Sequence, residues 1–163
     1  MENENVVLAA PLFATMDESE QRALLASMTK VELNRGEVLF DEGENGESLY
    51  IIEEGKIKLG SSSGDGRENL LAILGPGEMF GELSLFDPGP RSLGASAVSD
   101  SVLYELEHSA LVAAIEENPG VAKHLLTALA RRLRRTNEAL ADLVFSDVPG
   151  RVAKALLDLA DRF

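Results

Sequence analysis

The 163-residue chain contains no cysteine and no tryptophan. Without cysteine there are no disulfides, no iron–sulfur clusters and no cysteine–zinc sites, and redox sensing through thiols is excluded. Histidine occurs twice, as His108 and His124, too few for a metal centre built from several imidazoles. Aromatic residues make up 5% of the chain. No apolar run is long enough to span a bilayer, and the acidic opening MENENVVLAAPLF lacks the positive region of a secretory signal. The expectation is a cytoplasmic protein with no membrane contact. Positive charge is scarce in one part only. Residues 1–118 carry seven Lys and Arg against 23 Asp and Glu, whereas residues 119–163 carry eight against five. The acidic part repels nucleic acid, although such acidity also serves solubility alone.

Hydrophobic residues (45%) and charged residues (26%) stand in the proportions of a globular domain, and the length suits one domain with an appended element. Residues 4–28 read as helical, with Asp17 as a cap and Glu20 three positions on as its capping-box partner. From Lys30 to Glu107 the texture changes. Short β-branched or aromatic runs recur at Val31–Leu33, Val38–Phe40, Leu49–Ile52, Ile57–Leu59, Leu70–Leu74, Ala95–Val98 and Val102–Leu106. Glycines punctuate them, and Gly64-Asp65-Gly66 is a hairpin signal. Many short, evenly spaced strands predict a barrel or a two-sheet jelly roll.

The remainder reads as helical. A short helix covers Ser109–Glu116, and Asn118-Pro119 starts a longer one that ends before Asp147-Val148-Pro149-Gly150. At 1.5 Å per residue that helix is about 40 Å long. Ala122, Leu126, Leu129, Leu133, Thr136, Leu140 and Leu143 alternate in steps of four and three, an a/d seam. It predicts pairing of two such helices, the alternative being that the seam packs on the chain's own β-region. Arg131, Arg132, Arg134 and Arg135 lie beside the seam and read as a solvated flank that neutralises the acidic domain rather than as a nucleic-acid contact. Arg151–Phe163 forms a further amphipathic helix, whose face needs another unit or a partner to cover it.

The segment FGELSLFDPGPRS, Phe80–Ser92, carries the chemistry. Gly81 lets an anion approach the backbone closely. Arg91 offers a planar, permanently charged fork for phosphate oxygens, and Ser92 adds a hydroxyl. Glu82 is out of place beside a phosphate unless it accepts a hydrogen bond from a sugar hydroxyl, as acidic residues do for ribose elsewhere. A sugar with one phosphate fits. The plainer alternative is a surface salt bridge between Glu82 and Arg91 across a hairpin.

This segment resembles the phosphate-binding cassette of cyclic-nucleotide-binding domains. With GRENLL, DPGPR, ARRLRRTN and DVPGRVAK, the chain resembles the cyclic AMP receptor branch of the Crp/Fnr transcription regulators, especially its actinobacterial members. The resemblance implies an α+β fold: a double-stranded β-helix (jelly roll) with flanking N-terminal helices and a long C-terminal dimerisation helix. Its parts would be a cyclic-nucleotide-binding domain over residues 1–118, a dimerisation helix over 119–146, and a hinge with the first helix of a winged helix-turn-helix over 147–163. The rest of that DNA-binding domain is expected to lie outside this chain. The implied ligand is cyclic AMP and the implied partner a second copy. Glu82 would hold the ribose 2′-hydroxyl. Arg91, Ser92 and the backbone of Gly81, Glu82, Leu83 and Ser84 would hold the cyclic phosphate, with Leu71 lining the pocket. Thr136 and Asn137 would meet the adenine, one of them from the partner. Thr136 is the one polar interruption of the seam, which also fits a role in register alone. Asn137 has the donor and acceptor that the N6/N7 edge of adenine requires. Ala72 and Asn137 stand where relatives carry hydroxyl residues. Two other readings keep the β-architecture: the same fold sensing haem or another effector, and a cupin-type enzyme. No paired-carboxylate or Ser-His-Asp arrangement supports catalysis.

Overall fold

The computed structural model describes residues 2–62, 66–145 and 148–162. Thr29–Leu33 (β1), Ser48–Glu54 (β4), Met79–Phe80 (β7) and Ser101–Glu107 (β10) form one sheet in the order β1-β10-β4-β7. Val38–Phe40 (β2), Ile57–Ser62 (β5), Glu68–Leu74 (β6) and Gly94–Ala97 (β9) form a second in the order β2-β9-β5-β6. Asn45–Gly46 (β3) and Gly89–Pro90 (β8) make a small ribbon. Every pairing is antiparallel, so the two faces roll around a common interior, as a jelly roll requires.

β4 shows how the sequence builds two cores from one strand. Its run is buried from Ser48 to Glu53. Successive side chains point to opposite faces. Tyr50 and Ile52 enter the roll interior with Leu33, Phe40, Ile57, Phe80 and Leu103. Leu49 and Ile51 join a second cluster with Leu12, Phe13, Leu24, Leu85, Leu111, Val121 and Leu125. That second core lies under a helical layer made of Glu2–Leu8 (α1), Glu18–Ala26 (α2), His108–Glu117 (α4) and the start of Gly120–Phe145 (α5).

The N-terminal helical region is not continuous. After α1 the chain makes a 3-10 turn at Pro11–Phe13 before α2. The extended backbone at Ala10 (ψ 150°) is the conformation that a following proline imposes. The capping box at Asp17 is present: the Glu20 N–H donates to Asp17 Oδ1 at 2.8 Å, and the Asp17 N–H to Glu20 Oε2 at 3.2 Å. Of the Gly64-Asp65-Gly66 hairpin, residues 64 and 65 lie outside the described residues. The flanking strands do pair, with Ser62 opposite Glu68. Asp147 and Phe163 also lie outside. The last helix, Val148–Arg162 (α6), takes Pro149 and Gly150 into its first turn.

α5 is 26 residues long. Val121 and Leu125 seat its base on the domain (4% and 2% exposed), while Leu126, Leu133, Leu140 and Leu143 are 56–65% exposed. Beyond its base, the a/d seam therefore does not pack on the chain's own β-region. Among the described residues, no helix is long and apolar enough to cross a membrane.

Candidate functional site

Between β7 and β8 the chain forms a five-residue helix, Glu82–Phe86 (α3), entered through Gly81 at φ +82°. A Cβ at this position would sit 2.8 Å from Arg91 Nη1 and 2.9 Å from the Ser48 carbonyl oxygen. Both the backbone angle and the crowding require glycine. The turn then buries the carboxylate of Glu82, 5% exposed. Its Oε1 meets Arg132 Nη2 of α5 at 2.8 Å. Its Oε2 is buried and has no hydrogen-bond partner among the described residues. A buried carboxylate oxygen without a donor is costly, and a ligand hydroxyl would relieve it.

Arg91 follows β8 and is 6% exposed. Its Nη1 donates to the Ser48 carbonyl at 2.9 Å and, at the long distance of 3.4 Å, to that of Gly81. The guanidinium lies 4.2 Å from the centre of the Phe40 ring and 5.7 Å from that of Tyr50. Phe40, Tyr50 and Phe80 form one aromatic cluster beneath it. Carbonyl dipoles and ring faces solvate this charge without cancelling it. Burial accordingly pulls the Arg91 pKa below its ordinary value, opposed by Tyr50 and Glu105. Gly81 touches both Arg91 and Glu82, so a cation awaiting an anion and a carboxylate awaiting a donor lie together. The donor set fits a phosphorylated sugar: the phosphate suits Arg91, and a sugar hydroxyl suits Glu82.

The remaining expected residues divide. Ser84 is buried, and its N–H already bonds to the Gly81 carbonyl at 3.2 Å. Leu71 on β6 and Leu83 on α3 are 63% and 66% exposed. Ser92 is exposed beside Arg91, and Thr136 and Asn137 lie exposed on α5. The Thr136 hydroxyl donates to the Arg132 carbonyl at 3.1 Å. The salt-bridge alternative for Glu82 and Arg91 does not occur, because each has other partners. Arg132 is the site residue that sequence reasoning passed over. It stood within a run of four arginines, and nothing in that run marks which one turns to the glutamate.

A cavity of about 260 Å³ is lined by Val38, Phe40, Lys58, Glu68, Leu70 and Ser96 among others; it shares the Phe40 ring with Arg91 but is lined by neither Glu82 nor Arg91. Among its charged groups, Lys58 and Glu68 pair at 3.4 Å, and Glu42 accepts a hydrogen bond from the Ser62 N–H at 3.1 Å. The unsatisfied chemistry is at α3, and we place the site there.

Residues 30–118 match the model of the cyclic nucleotide-binding domain. The chain belongs to that family. Within it the chain falls in the Crp-like branch. It is 49% identical over 160 residues to a CRP-like cAMP-activated global transcriptional regulator of Mycobacterium tuberculosis, covering 98% of this chain and 71% of that protein. It is 40% identical to the cyclic AMP receptor protein of Thermus thermophilus, covering 92% and 69%. Among solved structures, the N-terminal domain of a transcriptional regulator from Streptomyces coelicolor superposes with a TM-score of 0.75 at 50% identity, covering 82% of this chain and 95% of that one. The Thermus thermophilus catabolite activator protein gives 0.73 at 39%, covering 93% and 71%.

Proposed function

We propose that the chain binds cyclic AMP at Glu82 and Arg91 and is the sensing and pairing part of a cytoplasmic Crp-family transcription regulator. The observation that carries this is the juxtaposition just described: a buried arginine that, among the described residues, has no carboxylate in ion-pair contact, beside a buried glutamate with one oxygen unpaired among them. The cyclic phosphate seats on Arg91 with the Ser92 hydroxyl. The ribose 2′-hydroxyl donates to Glu82. Leu71 and the backbone from Gly81 to Ser84 line the pocket. Adenine reaches Thr136 and Asn137 on α5, one of them supplied by a second copy paired along the exposed seam. The reading involves no catalytic step. The relatives extend beyond the matched part, and DNA contact belongs to the portion beyond the match.

Calorimetry with cyclic AMP tests the reading. One ligand per chain is expected, with cyclic GMP weaker because its base edge exchanges donor for acceptor. Arg91→Ala, which removes a charge-assisted fork, should weaken binding by about 100-fold. Absence of cyclic AMP binding by the wild-type chain refutes it.

A further inference from the structure

Glu82 and Arg91 are held by different segments, and one half-buried residue outside the site touches both supports, one through its backbone and the other through its ring. His108 is the first residue of α4. Its backbone N–H donates to the Glu47 carbonyl at 2.9 Å, next to Ser48, whose own carbonyl holds Arg91. Its ring Nδ1 lies 2.6 Å from the Leu85 carbonyl, in the last turn of α3. A carbonyl oxygen only accepts, so Nδ1 carries the proton. In the neutral ring that leaves Nε2 bare.

α3 is too short to fix its own orientation by its helical hydrogen bonds. Its buried residue Leu85 sits in the same core as Leu111 of α4 and Val121 and Leu125 of α5. α4 is thus the packed link between the helix that carries Glu82 and the helix that carries Arg132.

We propose that His108 is a positioning residue: it fixes α3 through the Leu85 carbonyl and so sets the Glu82 carboxylate against Arg91 and Arg132. This rests on the cyclic AMP reading above for its functional consequence, but not for its geometry. Removing the ring leaves the Glu47 bond intact, because that bond is made by the backbone, and frees only the end of α3.

The test compares wild type, His108→Ala and His108→Asn, the last keeping an N–H donor near the place of Nδ1. His108→Ala should weaken cyclic AMP binding about fivefold, as expected for one lost hydrogen bond, and speed amide exchange from Leu83 to Asp87. His108→Asn should return both to within about twofold of wild type. Nitrogen NMR of the wild-type ring at a pH where it is neutral should show Nδ1 protonated and Nε2 bare. Unchanged affinity and exchange in a folded His108→Ala, failure of His108→Asn to rescue, or a ring protonated on Nε2 alone overturns the proposal. If wild type binds no cyclic AMP, the functional reading fails separately, and the tautomer and the exchange rates alone decide whether His108 fixes α3.

Discussion

At Gly46 on β3, an added Cβ would come within 2.1 Å of Arg91 Nε and 2.5 Å of Cζ. The clash is with a side chain rather than with backbone, so a larger residue there evicts the guanidinium and leaves the ribbon in place. Gly46→Val is expected to weaken cyclic AMP binding by about tenfold or more while the circular dichroism spectrum stays that of wild type. Tyr50 makes a second prediction at this scale. Its phenol is pushed up to about 12, chiefly by burial and then by Glu105, to which it donates a hydrogen bond at 3.1 Å. Folded and unfolded chains both hold this proton below the ordinary tyrosine value of 10. Between pH 10 and pH 12 the unfolded chain releases it first. Stability therefore falls as pH rises through that window, by roughly 2 to 3 kcal/mol from this group. Alkaline denaturation curves of Tyr50→Phe should lack that part of the fall, and wild-type steepness in the variant would contradict it.

α5 has one face buried at its base and another exposed along its length. Leu125, 2% exposed, anchors the helix to its own domain, and Leu133 is 61% exposed. Leu125→Ala should cost about 3 kcal/mol in urea unfolding and leave the subunit count unchanged. Leu133→Asp should give monomers in sedimentation with the fold retained, because no buried contact within the chain is lost. A wild-type chain already monomeric at high concentration would contradict the pairing. The exposed a/d face of α5 was legible from spacing and the seven longest strands from their β-branched and aromatic runs, whereas the Val121 and Leu125 face was not, because those residues fall outside the a/d pattern. The 3-10 break was signalled by Pro11 and overlooked. β3, β7 and β8 escaped because two-residue elements are set by tertiary pairing rather than by local pattern, and α3 because five residues make little more than one helical turn. The cassette motif located Glu82 and Arg91, but their burial and the approach of Arg132 depend on segments 40 or more positions away in sequence.

For the whole molecule, a ligand that binds only the folded form must raise its melting temperature. At a hundredfold excess over Kd the gain is about 2.7 kcal/mol, or on the order of 5 to 10 °C for a chain of this size. Cyclic AMP should produce such a shift in wild type and only about 1 °C at the same concentration in Arg91→Ala. The net charge of −13 acts against capture of an anionic ligand from a distance, so the association rate should rise as salt screens the acidic roll. The contact between Glu82 and Arg132 carries a stricter requirement. If the sugar binds Glu82 as proposed, one carboxylate faces both the ligand and α5, so the placement of that helix and the occupancy of the pocket share a free energy. By reciprocity, any partner that holds α5 in one arrangement changes the affinity for ligand by the same factor that ligand changes the affinity for the partner. A regulator built on this contact has no separate input and output: an occupied binding site elsewhere on the protein is itself a change in how much nucleotide the cell must make to fill this one.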